Sequence, residues 1–293
     1  MIGPYAARLS EPARLARSRR PVPGRARGGA VTAGYWEREG LERAILGALA
    51  AAGRDVDALT VDALAPADHF HGGGKAATDR LARLAGIRPG MHVLDVGGGL
   101  GGPARTLATY GAHVTVVDVT ESFVRTGAAL TARLGLADRV EHRVGDALAL
   151  DVPAASFDLV WTQNSGMSIL DKERLYLGFA RALRPGGVLA IQEPMAGPVQ
   201  PVIFPVMWAR DASSSFLRTP PAMRAVMEAA GFRVRVWDDV TAETAGPGTA
   251  DEIPPYFASR IIMGDALDAI VRAGHRNREE GRIVLIQAVL DRP

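Results

Sequence analysis

From position 92 onward, short apolar runs alternate with segments whose apolar residues recur every three to four positions. The runs at 92–96, 113–118, 140–144, 157–162, 188–193, 233–237 and 283–289 have the length and residue types of buried strands. Between them, 103–110, 122–134, 172–183 and 221–230 read as helices, and in the third of these Leu175, Phe179 and Leu183 share one face. Strands separated by helices of this length predict a doubly wound α/β fold, a seven-stranded and mostly parallel sheet with helices on both faces.

Upstream the pattern is helical only. The stretch 35–52 places Leu41, Ile45 and Leu49 four residues apart and stops at Gly53. A second short helix is expected over 56–64. After a loop at 68–74 a third helix carries Ala77, Leu81 and Leu84 on one face and ends before Pro89-Gly90. Residues 35–90 are therefore read as a helical cover on a core at 91–293. Two insertions interrupt that core, at 195–220 and at 241–281, the latter helical over 261–273.

Composition narrows the chemistry. With 293 residues and 47% hydrophobic side chains the chain can bury a full core, and with no cysteine it has neither disulfides nor thiolate chemistry. The net charge of +2 conceals an uneven spread, because seven arginines between Arg8 and Arg27 are opposed by Glu11 alone and the remainder is mildly acidic. This head also holds Pro4, Pro12, Pro21 and Pro23, so 1–34 is expected to be a solvated, loosely attached tail. No apolar segment follows its charges, which argues against a secretory signal and leaves a cytoplasmic protein as the expectation.

The run Val93-Leu94-Asp95-Val96-Gly97-Gly98-Gly99-Leu100-Gly101-Gly102-Pro103 is a strand, a glycine turn and a helix start, a place where a nucleotide-like ligand approaches backbone. Two spacings overlap there. Gly97-x-Gly99-x-x-Gly102 fits dinucleotide binding, and Asp95-x-Gly97-x-Gly99-x-Gly101 fits the binding of S-adenosylmethionine (SAM). Asp95 separates them: its carboxylate would repel a pyrophosphate but attract a sulfonium and an ammonium. The bland reading makes it a turn residue. Asp118 closes the second strand 21 positions after Gly97, where an acid accepts from ribose hydroxyls. Gly145-Asp146-Ala147 follows the third strand and could meet an adenine, although Gly-Asp alone is more often a turn.

These stretches, with His69-Phe70-His71-Gly72-Gly73, Phe157-Asp158-Leu159-Val160-Trp161 and Leu183-Arg184-Pro185-Gly186-Gly187, resemble the class I SAM-dependent methyltransferases with their Rossmann-like fold, in the small-molecule branch that includes sarcosine, sugar and polyketide methyltransferases. The resemblance spans about residues 68–238. It implies cofactor contacts from Asp95, Gly97, Gly98, Gly99, Asp118, Val119, Asp146, Ala147 and Gln163, with S-adenosylhomocysteine (SAH) as product. Asn164 occupies a position where many relatives carry a histidine, and so removes their usual candidate base.

Candidate bases are then His71, His69 and Glu193, with metal ligation or a structural role as competing readings for the two histidines. The acceptor is expected to be a partly apolar small molecule meeting Asn164, Met167, Phe204, Met207 and Trp208, since the first insertion reads as a lid. Ordinary core or a homodimer surface would use the same apolar residues. A nucleic-acid acceptor is disfavoured: the Asn/Asp-Pro-Pro-aromatic motif is missing after the fourth strand, and Pro254-Pro255-Tyr256-Phe257 lies in another element. Neither a membrane nor a metal is expected as a partner. A nicotinamide oxidoreductase, or a SAM-binding protein that catalyses cyclisation, stands as the alternative.

Overall fold

The computed structural model describes residues 34–293; the arginine-rich tail lies outside the described residues. Seven strands form one sheet: β1 (His92–Val96), β2 (His113–Asp118), β3 (Val140–Val144), β4 (Phe157–Gln163), β5 (Leu183–Ala196), β6 (Arg233–Asp239) and β7 (Ile283–Asp291). Their order is β3-β2-β1-β4-β5-β7-β6. β1 to β5 run parallel, and β7 inserts antiparallel between β5 and β6.

Helices pack on both faces, as the alternation predicts. On one side Leu175, Tyr176 and Phe179 of α6 (Lys172–Ala182) and Met223 and Met227 of α7 (Pro220–Ala229) bury Leu94, Val160 and Ile191. On the other, Leu81 of α3 (Gly74–Ala85) and Leu107 of α4 (Gly102–Thr109) cover Val93, Leu159 and Trp161.

The helical cover differs in detail from the expectation. α1 (Leu41–Ala51) starts six residues late, because Gly40 takes a left-handed φ of 65° at its N-cap. α2 (Val61–Asp68) lies downstream of the expected 56–64, because the Thr60 side chain caps it by accepting from Ala63 N at 3.1 Å. The helix expected at 261–273 is two, α8 (Ala258–Met263) and α9 (Leu267–Glu279), parted at Gly264 with φ 50°.

Leu41, Ile45 and Leu49 of α1 share one buried cluster with Leu64 of α2, Ile262 of α8, Leu267 and Ile270 of α9, and Phe123 and Leu130 of α5 (Glu121–Arg133). Fully burying each such side chain stabilises by about 1.5–3 kcal/mol. The N-terminal helices and the second insertion, 150 or more positions apart in sequence, thus form a single layer against α5 beside the carboxyl ends of the strands. No helix among the described residues is long and apolar enough to cross a membrane.

Candidate active site

A cavity of about 510 Å3 opens at the carboxyl ends of β1, β2 and β4. The strand order reverses between β1 and β4, the position at which open α/β sheets take ligands. One half of its wall contains every residue expected to meet a cofactor: Asp95, Gly97, Gly98, Gly99, Asp118, Val119, Asp146, Ala147 and Gln163. Leu100, Thr120 and Leu148 join them.

The local sequence explains the shape. Gly97 turns the chain out of β1 with φ 71°. A Cβ at Gly98 would lie 2.5 Å from Asp95 Oδ2 and 2.8 Å from Val116 Cγ1, so only glycine lets the loop fold down on β1 and β2. The Asp118 carboxylate ties the loop to β2, accepting from Gly99 N at 2.9 Å and from Thr120 N at 2.8 Å. Asp146 accepts from Leu148 N at 2.8 Å and sets the turn that presents Ala147.

Asp95 is different. Its side chain is buried with Oδ2 unpartnered, and burial together with the Asp118 charge pushes its carboxyl up to about 8. Among the described residues the wall carries Asp68, Asp95, Asp118, Asp146 and Asp171 and no lysine or arginine. With Asp68 paired to the buried Arg105 and the Asp95 carboxyl raised, the remaining carboxylates still give a field that favours a cation and opposes a pyrophosphate. A buried, unpaired carboxyl group beside a nucleoside-sized groove fits the ammonium and sulfonium of SAM.

Residues 93–187 match the family model described as a methyltransferase domain. A sterol 24-C-methyltransferase of Yarrowia lipolytica (strain CLIB 122 / E 150) is 30% identical over 219 residues, which are 71% of this chain and 55% of that protein. The fold superposes on a geranyl diphosphate methyltransferase structure with geranyl diphosphate and sinefungin at a TM-score of 0.67, with 18% identity over 92% of this chain and all of that one. It also superposes on a [4+2]-cyclase, SpnF, at 0.58, with 22% identity over 77% and 84%. Over residues 93–187 the chain thus carries a methyltransferase domain similar to those of SAM-dependent methyltransferases.

The other half of the methyltransferase cavity is apolar and aromatic. Of the expected acceptor residues Asn164, Met167, Met207 and Trp208 line it. Phe204 does not; it packs behind the wall against the cluster of Met167, Val206 and Trp208. Trp36, Phe70, Phe123, Phe216 and Ile262 complete the surface. Sequence reading left these five out of the site residues, although Phe216 stands in the insertion read as a lid, because five segments far apart in the chain supply them. The aromatic pair Tyr35-Trp36 ahead of α1 was the available signal for Trp36.

The candidate bases are separated by the fold. His71 is on the wall. His69 is not: its Nδ1 lies 2.7 Å from Asp68 Oδ1 and its Nε2 3.1 Å from Thr106 Oγ1, while Asp68 Oδ2 accepts from Arg105 at 2.8 Å. The histidine expected to act as a base thus belongs to a buried structural network. Glu193 is also off the wall, packed beneath the loop that follows β4. Its Oε1 accepts from Gly166 N at 2.8 Å and Ser165 N at 3.3 Å. The buried Lys172 ammonium donates to the carbonyls of Gly166 and Ile169 in the same loop. Burial raises the Glu193 carboxyl and lowers the Lys172 ammonium to about 8. No group of three or more histidine, aspartate or glutamate residues among the described residues is arranged to hold a metal.

Proposed function

We propose that the protein is a cytoplasmic enzyme that transfers the methyl group of SAM to an O, N or C atom of a partly apolar small molecule in biosynthesis, as a monomer or homodimer and without a nucleic-acid or membrane partner. In this reading 35–90 covers the core at 91–293, and 195–220 and 241–281 close over the acceptor. The observation that carries it is one cavity whose wall joins the glycine loop and strand-end acids to a set of aromatic and apolar side chains.

Bound SAM supplies a methyl group on a good sulfur leaving group, so placement provides much of the acceleration. Asp95 would hold the cationic amino-acid end, Asp118 the ribose, Asp146 and Ala147 the base, and Gln163 the junction with the acceptor. Trp36, Phe70, Met207, Trp208 and Phe216 would orient the acceptor and exclude water.

Calorimetry with SAM, SAH and NADH, using Asp118→Ala as control, tests the cofactor. Binding of the first two, abolished by the substitution, followed by label transfer from methyl-labelled SAM, is expected. NADH binding alone would mean a dehydrogenase. The [4+2]-cyclase with the same fold keeps a second reading open: SAM binding with no label transferred to any acceptor would point to cyclisation.

A further inference from the structure

Both ring nitrogens of His71 are engaged by their neighbours. An indole N–H only donates, so Trp161 Nε1, 3.0 Å from Gln163 Oε1, fixes that amide oxygen. Thr78 Oγ1 lies 3.0 Å from the same oxygen and must give it its single proton. His71 Nε2 lies 3.2 Å from Thr78 Oγ1, so the threonine hydroxyl occupies this ring nitrogen.

Nδ1 is engaged on the other side of the ring, 3.2 Å from Gly72 O and facing the Gln192 amide. The Arg80 guanidinium donates to Gln287 Oε1, and Gln287 Nε2 donates to Gln192 Oε1 at 2.8 Å. Gln192 thus turns its NH2 toward Gly72 O at 3.0 Å and His71 Nδ1 at 3.4 Å. A second proton on this ring would be desolvated and would face His69, whose ring centre is 5.7 Å away; the imidazole is held down to about 3.

The other basic groups are committed too. His69 is bound to Asp68 and Thr106, and Asp68 to Arg105. Glu193 lies under the β4 loop, and Asp171 stands at the exposed rim, capping α6 through Arg174 N. Asp95, Asp118 and Asp146 sit on the cofactor half. The remaining histidines, His92, His113, His142 and His275, are off the wall. Residues 1–33 contain no histidine, lysine or cysteine.

We propose that this methyltransferase provides its acceptor with no general base, and that the acceptor brings its own nucleophile: a phenol or enol hydroxyl that ionises near neutral pH, or an amine partly unprotonated there, in preference to an aliphatic alcohol. This rests on the methyl-transfer reading. The acceptor loses its proton to solvent water. Its lone pair then forms the bond to the methyl carbon while the carbon–sulfur pair returns to sulfur. The aromatic wall of Trp36, Phe70, Trp208 and Phe216 suits a planar ring.

Three probes, 4-nitrophenol, aniline and benzyl alcohol, test this with methyl-labelled SAM. Transfer to 4-nitrophenol or aniline is expected to follow the probe's own ionisation, and benzyl alcohol to lag by about 100-fold or more. In His71→Gln the rate can change, but the pH midpoint stays with the probe. Independently of turnover, 15N NMR of the SAH-loaded protein is expected to show His71 as a neutral imidazole from about pH 8 to about pH 5.

Comparable transfer to benzyl alcohol, a midpoint that moves in His71→Gln, or a His71 that titrates between those limits overturns the proposal. If none of the probes is methylated, the NMR result decides. Failure of SAH to bind overturns the parent reading, and this one with it.

Discussion

Gln287 and Gln192 face each other on the antiparallel strands β7 and β5, and the amide nitrogen of the first donates to the amide oxygen of the second at 2.8 Å with both side chains fully buried. They belong to a row that crosses the sheet at one register. Gln163 pairs with Gln192, Gln192 with Gln287 and Gln287 with Asp238. At the outer end Arg80 joins Gln287 to Asp238, the latter at 2.6 Å. At the inner end Gln192 donates to Gly72 O and Asn164 Oδ1, and Gln163 accepts from Thr78 and Trp161. A row that begins on an obligate donor has one orientation, so a surface guanidinium sets which atoms the inner amides present.

The row predicts an asymmetry between its buried middle and its exposed end. Gln287→Leu leaves Gln192 Oε1 and Ala77 O without their donor and should cost about 1–3 kcal/mol in urea unfolding. Arg80→Met removes a partly exposed ion pair and should cost less than about 1 kcal/mol. Equal costs, or a neutral Gln287→Leu, would show that the amides contribute little by their pairing.

Arg105 should be among the most sensitive positions for stability. Its guanidinium is fully buried and donates to Asp68 Oδ2 at 2.8 Å, Leu100 O at 2.7 Å and Thr131 Oγ1 at 2.8 Å. Arg105→Met strands the Asp68 carboxylate and should cost about 3–5 kcal/mol. The double variant Arg105→Met with Asp68→Asn should recover part of that loss, because no buried charge is then unpaired. A double variant less stable than Arg105→Met alone would contradict the assignment of the cost to the stranded charge.

The strands were legible because a parallel sheet buried on both faces is written as apolar runs, and β1, β2 and β3 fall on the expected residues. That the glycine loop and the strand-end acids share the cavity wall was legible for a related reason: they are local in sequence, at the ends of adjacent strands. The acceptor half was not, since Trp36, Phe123 and Ile262 meet only when α1, α5 and α8 pack together. His69 and Glu193 were misjudged because sequence shows a titratable residue near a site but not what it is bonded to. The partners, Asp68 with Thr106 for one and the Gly166 amide for the other, are fixed by tertiary contacts.

Asp95 gives cofactor binding a pH dependence of definite sign. In the free protein its carboxyl is protonated below about 8, and a bound cation favours the ionised form. Binding at pH 7 therefore releases a proton, and SAM affinity should climb from about pH 6 and level off near pH 8. Calorimetry in two buffers of different ionisation enthalpy measures the release directly. SAH, lacking the sulfonium charge, should show a shallower climb, and Asp95→Asn should abolish the dependence and weaken SAM. An affinity that is flat or falls over this range would mean that Asp95 does not meet the cation.

The loop after β4 is held from below by charge, and this predicts damage confined to the acceptor half. A Cβ at Gly166 would lie 2.9 Å from Glu193 Oε1, and Glu193 and Lys172 grip opposite ends of the same backbone turn. Gly166→Ala should push that carboxylate off its amide donors and speed hydrogen exchange of the amides at 165–169 by about tenfold, about 1.4 kcal/mol of local stability. Ser165 touches the glycine loop, donating to Val96 O at 3.2 Å, but Met167 and Ile169 lie beyond it and the loop is also tied to β2 through Asp118, so SAH affinity should stay within about threefold. An SAH affinity that fell in step with the loop's protection would show that the two halves share one support, and that the loop after β4 holds the cofactor as well as the acceptor.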